Sequence, residues 1–599
     1  MRDTIRESSL GQLARLLSCR CLRLLPYPEE LDSFQLPTGL SSSASSPSGG
    51  VLLPSSKLDS ADDLSKKSKG ASELSFFPAP VGATTPSSSS SSDEKDLEAA
   101  ATITTQTWDY STATTPSMPP SQDTEVEVEV VVDWYSPTDP ANPQNWPFAK
   151  KVWITTQMGL YTFAVYVGSS LYAPSEAQVI ATFHTSPEAA ALGIALYVLG
   201  YGIGPLLWSP LSEIPGVGRA RIYIATFAVF VALALAACVV DTLAGLLVLR
   251  FLLGFAGSPC LATAGATLDD MYAPWKLPYV LTVWSASATL GPALGPVVSG
   301  FAVTEMGWRW SGWELFWLAA PVLILMSATL PETNPDTILH RRAARLRART
   351  GRPELRCEAD RKRAHMTPRQ VAVDALIKPW QINALDPAVL YTTVYAAVLY
   401  ATYYSFFEAF PLVFADMHGF NLGESGLPFL AFVPGLMIAV PGYVVWFRLK
   451  VEPVMRREPP PLYGHPESRM LPAVLTGFLA PIGLFIFAWT SRPDIHWIVP
   501  IIGLMVLFVG VVVSFQCMNF YISRCYPKYS ASLFAANTFA RSCFAAGSIL
   551  FSTPMYKALG VGGGVSLLGG LSVLCAGGTI VLWRYGDRLR IRSRFAQSS

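Results

Sequence analysis

Twelve long apolar stretches dominate this 599-residue sequence and leave few folds open to it. They cover 152–173, 189–208, 221–240, 246–268, 279–303 and 312–330, then 388–410, 427–447, 471–490, 496–522, 531–553 and 559–584. A helix rises about 1.5 Å per residue, so about 20 mostly apolar residues cross about 30 Å of hydrocarbon. Water-soluble domains do not tolerate a dozen such runs. Composition agrees: 51% of residues are hydrophobic and 15% charged, where soluble chains carry about 25% charged residues. The expectation is an all-α polytopic membrane protein.

The formal net charge of +1 conceals a division. Residues 1–149 sum to −10 and the remainder to +11. The acidic segment contains an unbroken serine run, Ser87 to Ser92, among Pro and Thr. Such a composition buries too little apolar surface to offset its ordering entropy, so 1–149 reads as a mostly disordered tail. At its start, Arg15, Arg20 and Arg23 alternate with leucines, which suits a short amphipathic helix on a membrane surface, where Cys19 and Cys21 are candidates for acylation. No apolar signal core or small-residue cleavage site follows. The nine cysteines form no CxxC pair or ordered framework, so neither a zinc site nor a disulfide scaffold is expected.

Basic residues predict the orientation. With the first loop inside, inner segments carry 29 Lys and Arg, while outer loops carry three: Arg309, Arg492 and Lys557. Both termini are therefore expected in the cytoplasm. The domains follow: a six-helix bundle over 150–330, a basic cytoplasmic linker over 331–387, a second six-helix bundle over 388–584 and a cytoplasmic tail over 585–599. Six plus six helices with a cytoplasmic joint is the architecture of the major facilitator fold, whose substrate site lies between the halves near the midplane.

Few polar side chains interrupt the spans. Arg250, Gly254 and Gly257 share a face of span four; the arginine either faces the bundle interior or reaches the nearby interface. Asp269 and Asp270 close that span, as shielded proton carriers or as solvated helix ends. In span five, Gly291, Gly295 and Ser299 form a ridge that admits a close helix neighbour, while Pro292 and Pro296 each remove a backbone donor and favour a bend. In span seven, Tyr400, Tyr404 and Glu408 recur at spacing four; the phenols suit amphipathic ligands or an interfacial belt. Span eleven places Asn537 and Arg541 one turn apart, with Arg541 about halfway across, which favours a cavity-lining or pairing role. The loop after span two holds Glu213, Gly218, Arg219 and Arg221, which either pair with neighbouring helix ends to lock one face or form an ordinary basic loop.

Taken in order, these residues resemble the fungal drug:proton antiporters of the twelve-span major facilitator superfamily, and among them the benomyl/methotrexate multidrug-resistance group. The resemblance rests on Arg6-Glu-Ser with Gly11-Gln-Leu, Asn142-Pro-Gln-Asn-Trp146, Gly200-Tyr-Gly-Ile-Gly-Pro205, Arg250-Phe-Leu-Leu-Gly254 and Ser258-Pro-Cys-Leu-Ala-Thr263. It continues through Gly291-Pro-Ala-Leu-Gly-Pro296, Trp308-Arg-Trp310, Leu330-Pro-Glu-Thr333, Phe407-Glu-Ala-Phe-Pro411 and Ala535-Ala-Asn537 with Arg541. The chain departs from the family pattern at Pro215, where extra residues precede Arg219, and at Ser299, where a glycine is common.

The resemblance implies export of varied, largely apolar drugs from the cell through the plasma membrane, driven by protons. Arg250 and Asp270 match positions tied to proton coupling, and Glu408 joins them as a candidate. Tyr400, Tyr404, Asn537 and Arg541 would line the substrate cavity. Glu213, Gly218, Arg219, Gly291, Pro292, Gly295 and Pro296 would serve gating. No cofactor, metal, nucleic acid or stable partner is expected, and a monomer suffices. A uniporter, a nutrient or polyamine importer and a non-transporting receptor share the fold and stay open alternatives. No Walker A, HExxH or His-x4-Asp motif is present, which argues against an ATP-driven pump and these membrane enzymes.

Overall fold

The computed structural model describes residues 2–17, 26–30, 130–364, 377–457, 466–526 and 530–593. The serine-rich centre of the tail, Cys19 and Cys21 lie outside the described residues. Helices make up most of what is described. Two short ones, α1 (Arg2–Glu7) and α2 (Ser9–Leu17), precede α3 (Phe148–Ser170), α4 (Glu176–Phe183), α5 (Pro187–Ser212) and α6 (Arg219–Val239). Next come α7 (Leu243–Met271, jointed at Ser258), α8 (Leu277–Met306), α9 (Trp310–Thr329) and α10 (Pro335–Thr350). The second half contains α11 (Pro387–Phe410), α12 (Phe432–Trp446), α13 (Leu479–Thr490), α14 (Ile498–Cys525) and α15 (Ser530–Arg592).

Among the described residues, ten helical stretches are long and apolar enough to cross a membrane. The ten differ from the twelve predicted spans at two places. The first predicted span forms the 23-residue helix α3, which is not one of the ten. The last two predicted spans both fall in α15, where Gly560 leaves helical geometry at φ 71°, ψ 161° and divides the run. Only a residue without a Cβ takes up that φ cheaply.

Helix starts follow local chemistry. Asn334, Thr242, Ser186 and Asp386 each accept a backbone N–H two or three residues on, and three of the four precede a proline that needs no donor. Outward faces stay apolar: Trp317, Ile324, Met437, Leu475 and Leu574 are between 63% and 73% exposed. Water would penalise such a belt, whereas lipid would not.

Inside, small residues set helix spacing. A Cβ on Gly291 would come within 2.8 Å of the Val167 amide nitrogen, and one on Gly295 would collide with Ser170. Ser299 donates to the Leu171 carbonyl at 2.7 Å. The predicted ridge of α8 therefore packs on α3, residue by residue. An adjoining face meets the second half, where Gly426 lies against the Pro296 carbonyl. Despite Pro292 and Pro296, α8 continues as a single 30-residue helix.

The ends of the acidic tail are built into the fold. Val130 and Val131 pair in parallel with Leu355 and Arg356. Arg342 of α10 reaches Asp139 at 2.7 Å and Glu29 at 3.3 Å, and Arg345 reaches Glu29 at 3.4 Å. Lys150 meets Glu7 at 3.7 Å. On α1 and α2, Ile5, Leu10 and Leu13 remain exposed, as expected of an amphipathic pair with one face left for another medium.

Candidate functional site

Polar residues inside the bundle gather at three levels. The level nearest α10 is a charge cluster at the ends of α6, α7 and α9. Gly218, at φ 82°, lets the chain turn beside Glu332, and any Cβ there would collide with that carboxylate. Glu332 Oε1 accepts the amides of Arg219, Thr333 and Asn334, each at 3.1 Å, and its Oε2 lies 3.4 Å from Arg341. The Arg219 guanidinium pairs with Asp270. Glu213, at the end of α5, also contributes to the field around Arg219. Of the predicted gating group, Glu213, Gly218 and Arg219 thus meet here, and Asp270 joins them rather than Arg250. Sequence reading noted Glu332 only as part of a motif. It stands 113 residues from Arg219, and no local pattern announces that pairing.

The middle level is a ring of phenols joining the two halves. Tyr201 of α5 is hydrogen-bonded to Tyr400 at 2.6 Å and to Tyr404 at 2.9 Å, both on α11. Tyr404 also meets Ser169 of α3 at 3.1 Å. Arg541 of α15 donates to the Tyr166 hydroxyl at 3.3 Å, and its guanidinium lies 5.0 Å from the Tyr400 ring centre. Tyr404 is fully buried, which excludes the interfacial-belt alternative for it. Asn537, one turn before Arg541, donates to Thr393 at 3.4 Å. Tyr166 was not singled out in the sequence and Tyr201 figured there only within the Gly200–Pro205 motif, because their partners lie on the other half of the chain.

Beside this ring, towards the charge cluster, a cavity of about 190 Å³ lies between α7, α8, α14 and α15. Its walls include Leu261, Trp284, Phe515, Asn537 and Arg541, with Asp269 and Arg524 at its charged end. Apolar walls with a few fixed polar groups suit a small amphipathic ligand. A second, wider groove of about 680 Å³ runs between α3 and α8 along Phe163, Val283 and Tyr279.

The third level lies at the opposite end. Arg250 is buried, donates to the Gly168 carbonyl at 2.9 Å and lies 4.3 Å from the Tyr172 ring centre. It therefore faces the bundle interior instead of reaching outward. Glu408, at the end of α11, accepts from Thr553 at 2.5 Å. Arg250 and Glu408 thus lie towards one end, and Asp270 at the other.

Comparison with known proteins agrees with this architecture. Residues 158–551 match the family model described as Major Facilitator Superfamily. The MFS-type transporter pyvG of Aspergillus violaceofuscus is 44% identical over 80% of this chain and 88% of its own length. Fluconazole resistance protein 1 of Saccharomyces cerevisiae is 38% identical over 78% and 85%. The cycloheximide resistance protein of Candida maltosa is 36% identical over 78% and 86%. Among solved structures, the human organic anion transporter MFSD10 aligns over 72% of this chain and 100% of its own, with TM-score 0.51 and 14% identity. That likeness speaks for the fold alone. The chain belongs to the Major Facilitator Superfamily, as a multi-pass membrane transporter whose relatives include fungal drug-resistance transporters, and it is not an enzyme.

Proposed function

We propose that this protein exports small, apolar or amphipathic drugs across the plasma membrane by alternating access, driven by protons moving inward. The spans number twelve, as two sets of six, with α3 as the first and the break at Gly560 separating the last two. Both termini face the cytoplasm, so the cavity between α7, α8, α14 and α15 opens from the inner side, and a monomer carries out the cycle. One observation carries this reading. Residues of both halves, Tyr166 and Tyr201 from one and Tyr400, Tyr404 and Arg541 from the other, are joined in one buried cluster, and Arg541 of that cluster lines an apolar cavity. A ligand bound below that ring changes the equilibrium between closed and parted halves only through its different affinity for the two. The names of the fluconazole and cycloheximide resistance relatives support a drug-like substrate.

Rhodamine 6G efflux, measured in a cell without other pumps and with or without a protonophore, tests the proposal. Dye retention on adding the protonophore is expected. Efflux indifferent to it would remove proton coupling, and dye uptake instead of loss would make the protein an importer.

A further inference from the structure

The basic linker after α9 gathers three metal-ligating side chains that the transport reading does not use. His340 lies on α10, Cys357 directly follows the strand Leu355–Arg356, and Asp360 lies in the first turn of the short helix Glu358–Ala364. One ligand atom from each, an imidazole nitrogen, the Cys357 Sγ and a carboxylate oxygen, lies within 4.8 Å of the other two. His340 Nδ1 is hydrogen-bonded to Asp360 Oδ1 at 2.7 Å, whereas the other oxygen, Oδ2, is buried without a hydrogen-bond partner. A buried, unpaired carboxylate oxygen is costly and calls for an explanation. Cys357 is 1% exposed, while the His340 and Asp360 side chains keep 29% and 20%, which leaves an entry path for an ion. Three arginines of α10 are turned to other acceptors: Arg341 to Glu332, Arg342 to Asp139 and Glu29, and Arg347 to the Leu355 carbonyl. Sequence spacing conceals the set, since 20 residues separate His340 from Asp360.

We propose that His340, Cys357 and Asp360 bind a zinc ion that fixes the acidic tail to the linker. A thiolate, an imidazole and a carboxylate form a borderline-soft donor set that suits Zn2+, with water in the fourth tetrahedral position. At zinc–ligand lengths of about 2.1 Å, tetrahedral neighbours stand about 3.3 Å apart. The His340–Asp360 pair therefore parts by roughly half an ångström as the ion enters. On coordination the Cys357 thiol gives its proton to water, and thiolate and carboxylate together neutralise the ion. The site ties α10 to the strand Leu355–Arg356, with which Val130 and Val131 pair. The Val132 amide also donates to the Arg356 carbonyl at 2.8 Å. Zinc occupancy thereby holds the end of the acidic tail against the linker, and loss of zinc loosens it.

The untagged full chain in detergent, stripped with a chelator and reloaded with Zn2+ or Co2+, tests this. Elemental analysis should find one zinc per chain in the wild type. Cobalt in its place should give a thiolate-to-metal charge-transfer absorption, which Cys357→Ser should abolish. His340→Ala and Asp360→Asn should each weaken zinc binding at least about tenfold, a loss that changes behind the ligands already reach in known sites. Stripping the zinc should speed protease cleavage around residues 130–132 in the wild type and leave the Cys357→Ser rate unchanged. A wild type that takes up no stoichiometric zinc overturns the site. So does a cobalt absorption that survives Cys357→Ser, which would put the ion on another cysteine. Cleavage that ignores zinc in a wild type that binds it overturns the link to the tail. Melting of each variant without metal separates lost binding from lost fold. Should Cys357→Ser melt early, wild-type zinc affinity in Asp360→Asn still overturns the site.

Discussion

The few charges inside this bundle are each held by partners distant in sequence, and those partners make single substitutions informative. Arg219 is buried against Asp270 and beside Glu332. Removing one member of a buried ion pair leaves an uncompensated charge, at a cost of about 3–5 kcal/mol. Arg219→Ala should therefore lower the melting temperature in detergent by several degrees and reduce transport. Unchanged melting would mean that water already screens the cluster. Tyr201 has a different role, since its hydroxyl joins Tyr400 and Tyr404 across the halves. Tyr201→Phe keeps the ring and removes two hydrogen bonds of about 1 kcal/mol each. The expected result is folded protein with altered drug preference, read as a changed resistance spectrum. An identical spectrum would argue that the phenols only pack. Arg541 was recognisable from sequence as a mid-span charge; its partner Tyr166 was not, because 375 residues separate them.

At the level of helices, hydropathy predicted the spans closely: the predicted 312–330 became Trp310–Thr329 and 388–410 became Pro387–Phe410. The glycine ridge of α8 was equally readable, since spacing alone places Gly291, Gly295 and Ser299 on one face. The tail was harder to read. Its composition describes an average over a long polar stretch, and that average hides Glu29, Tyr135 and Asp139, which cluster around Arg342 only after the chain folds back. Tyr135 donates to Glu29 at 3.3 Å, and the Arg342 guanidinium lies 4.0 Å from the Tyr135 ring centre. Burial raises the Asp139 carboxyl, but the Arg342 hydrogen bond and the Ala141 and Tyr135 amides outweigh it and hold the group below the usual aspartate range. A lowered folded value means that the stabilisation is present above the unfolded pKa and is lost as pH falls through the folded one. Arg342→Ala should therefore expose the first thirty residues to protease at neutral pH. Acidification below the ordinary aspartate range should do the same to the wild type. Protection that persists in the variant would show that α1 and α2 hold on without this cluster.

For the molecule as a whole, alternating access requires the halves to touch closely and still separate. The contact between α5 and α15 meets the first requirement through Gly202, where any Cβ would collide with the side chain of Ser542. Tyr201 precedes Gly202 directly on α5, so spacing at Gly202 controls whether the phenol ring can close. Overpacking of this kind costs about 1–3 kcal/mol, and every 1.4 kcal/mol is tenfold in an equilibrium. Gly202→Ala should thus disfavour the closed ring roughly tenfold, lowering drug efflux while surface expression stays normal. The collision involves a single side chain, so Ser542→Gly should relieve it. The double variant Gly202→Ala with Ser542→Gly is expected to recover most of the lost efflux, although Ser542→Gly alone adds nothing. Failure of this rescue would mean that Gly202 is needed for helix flexibility within its own half, and that closure of the two halves is controlled elsewhere.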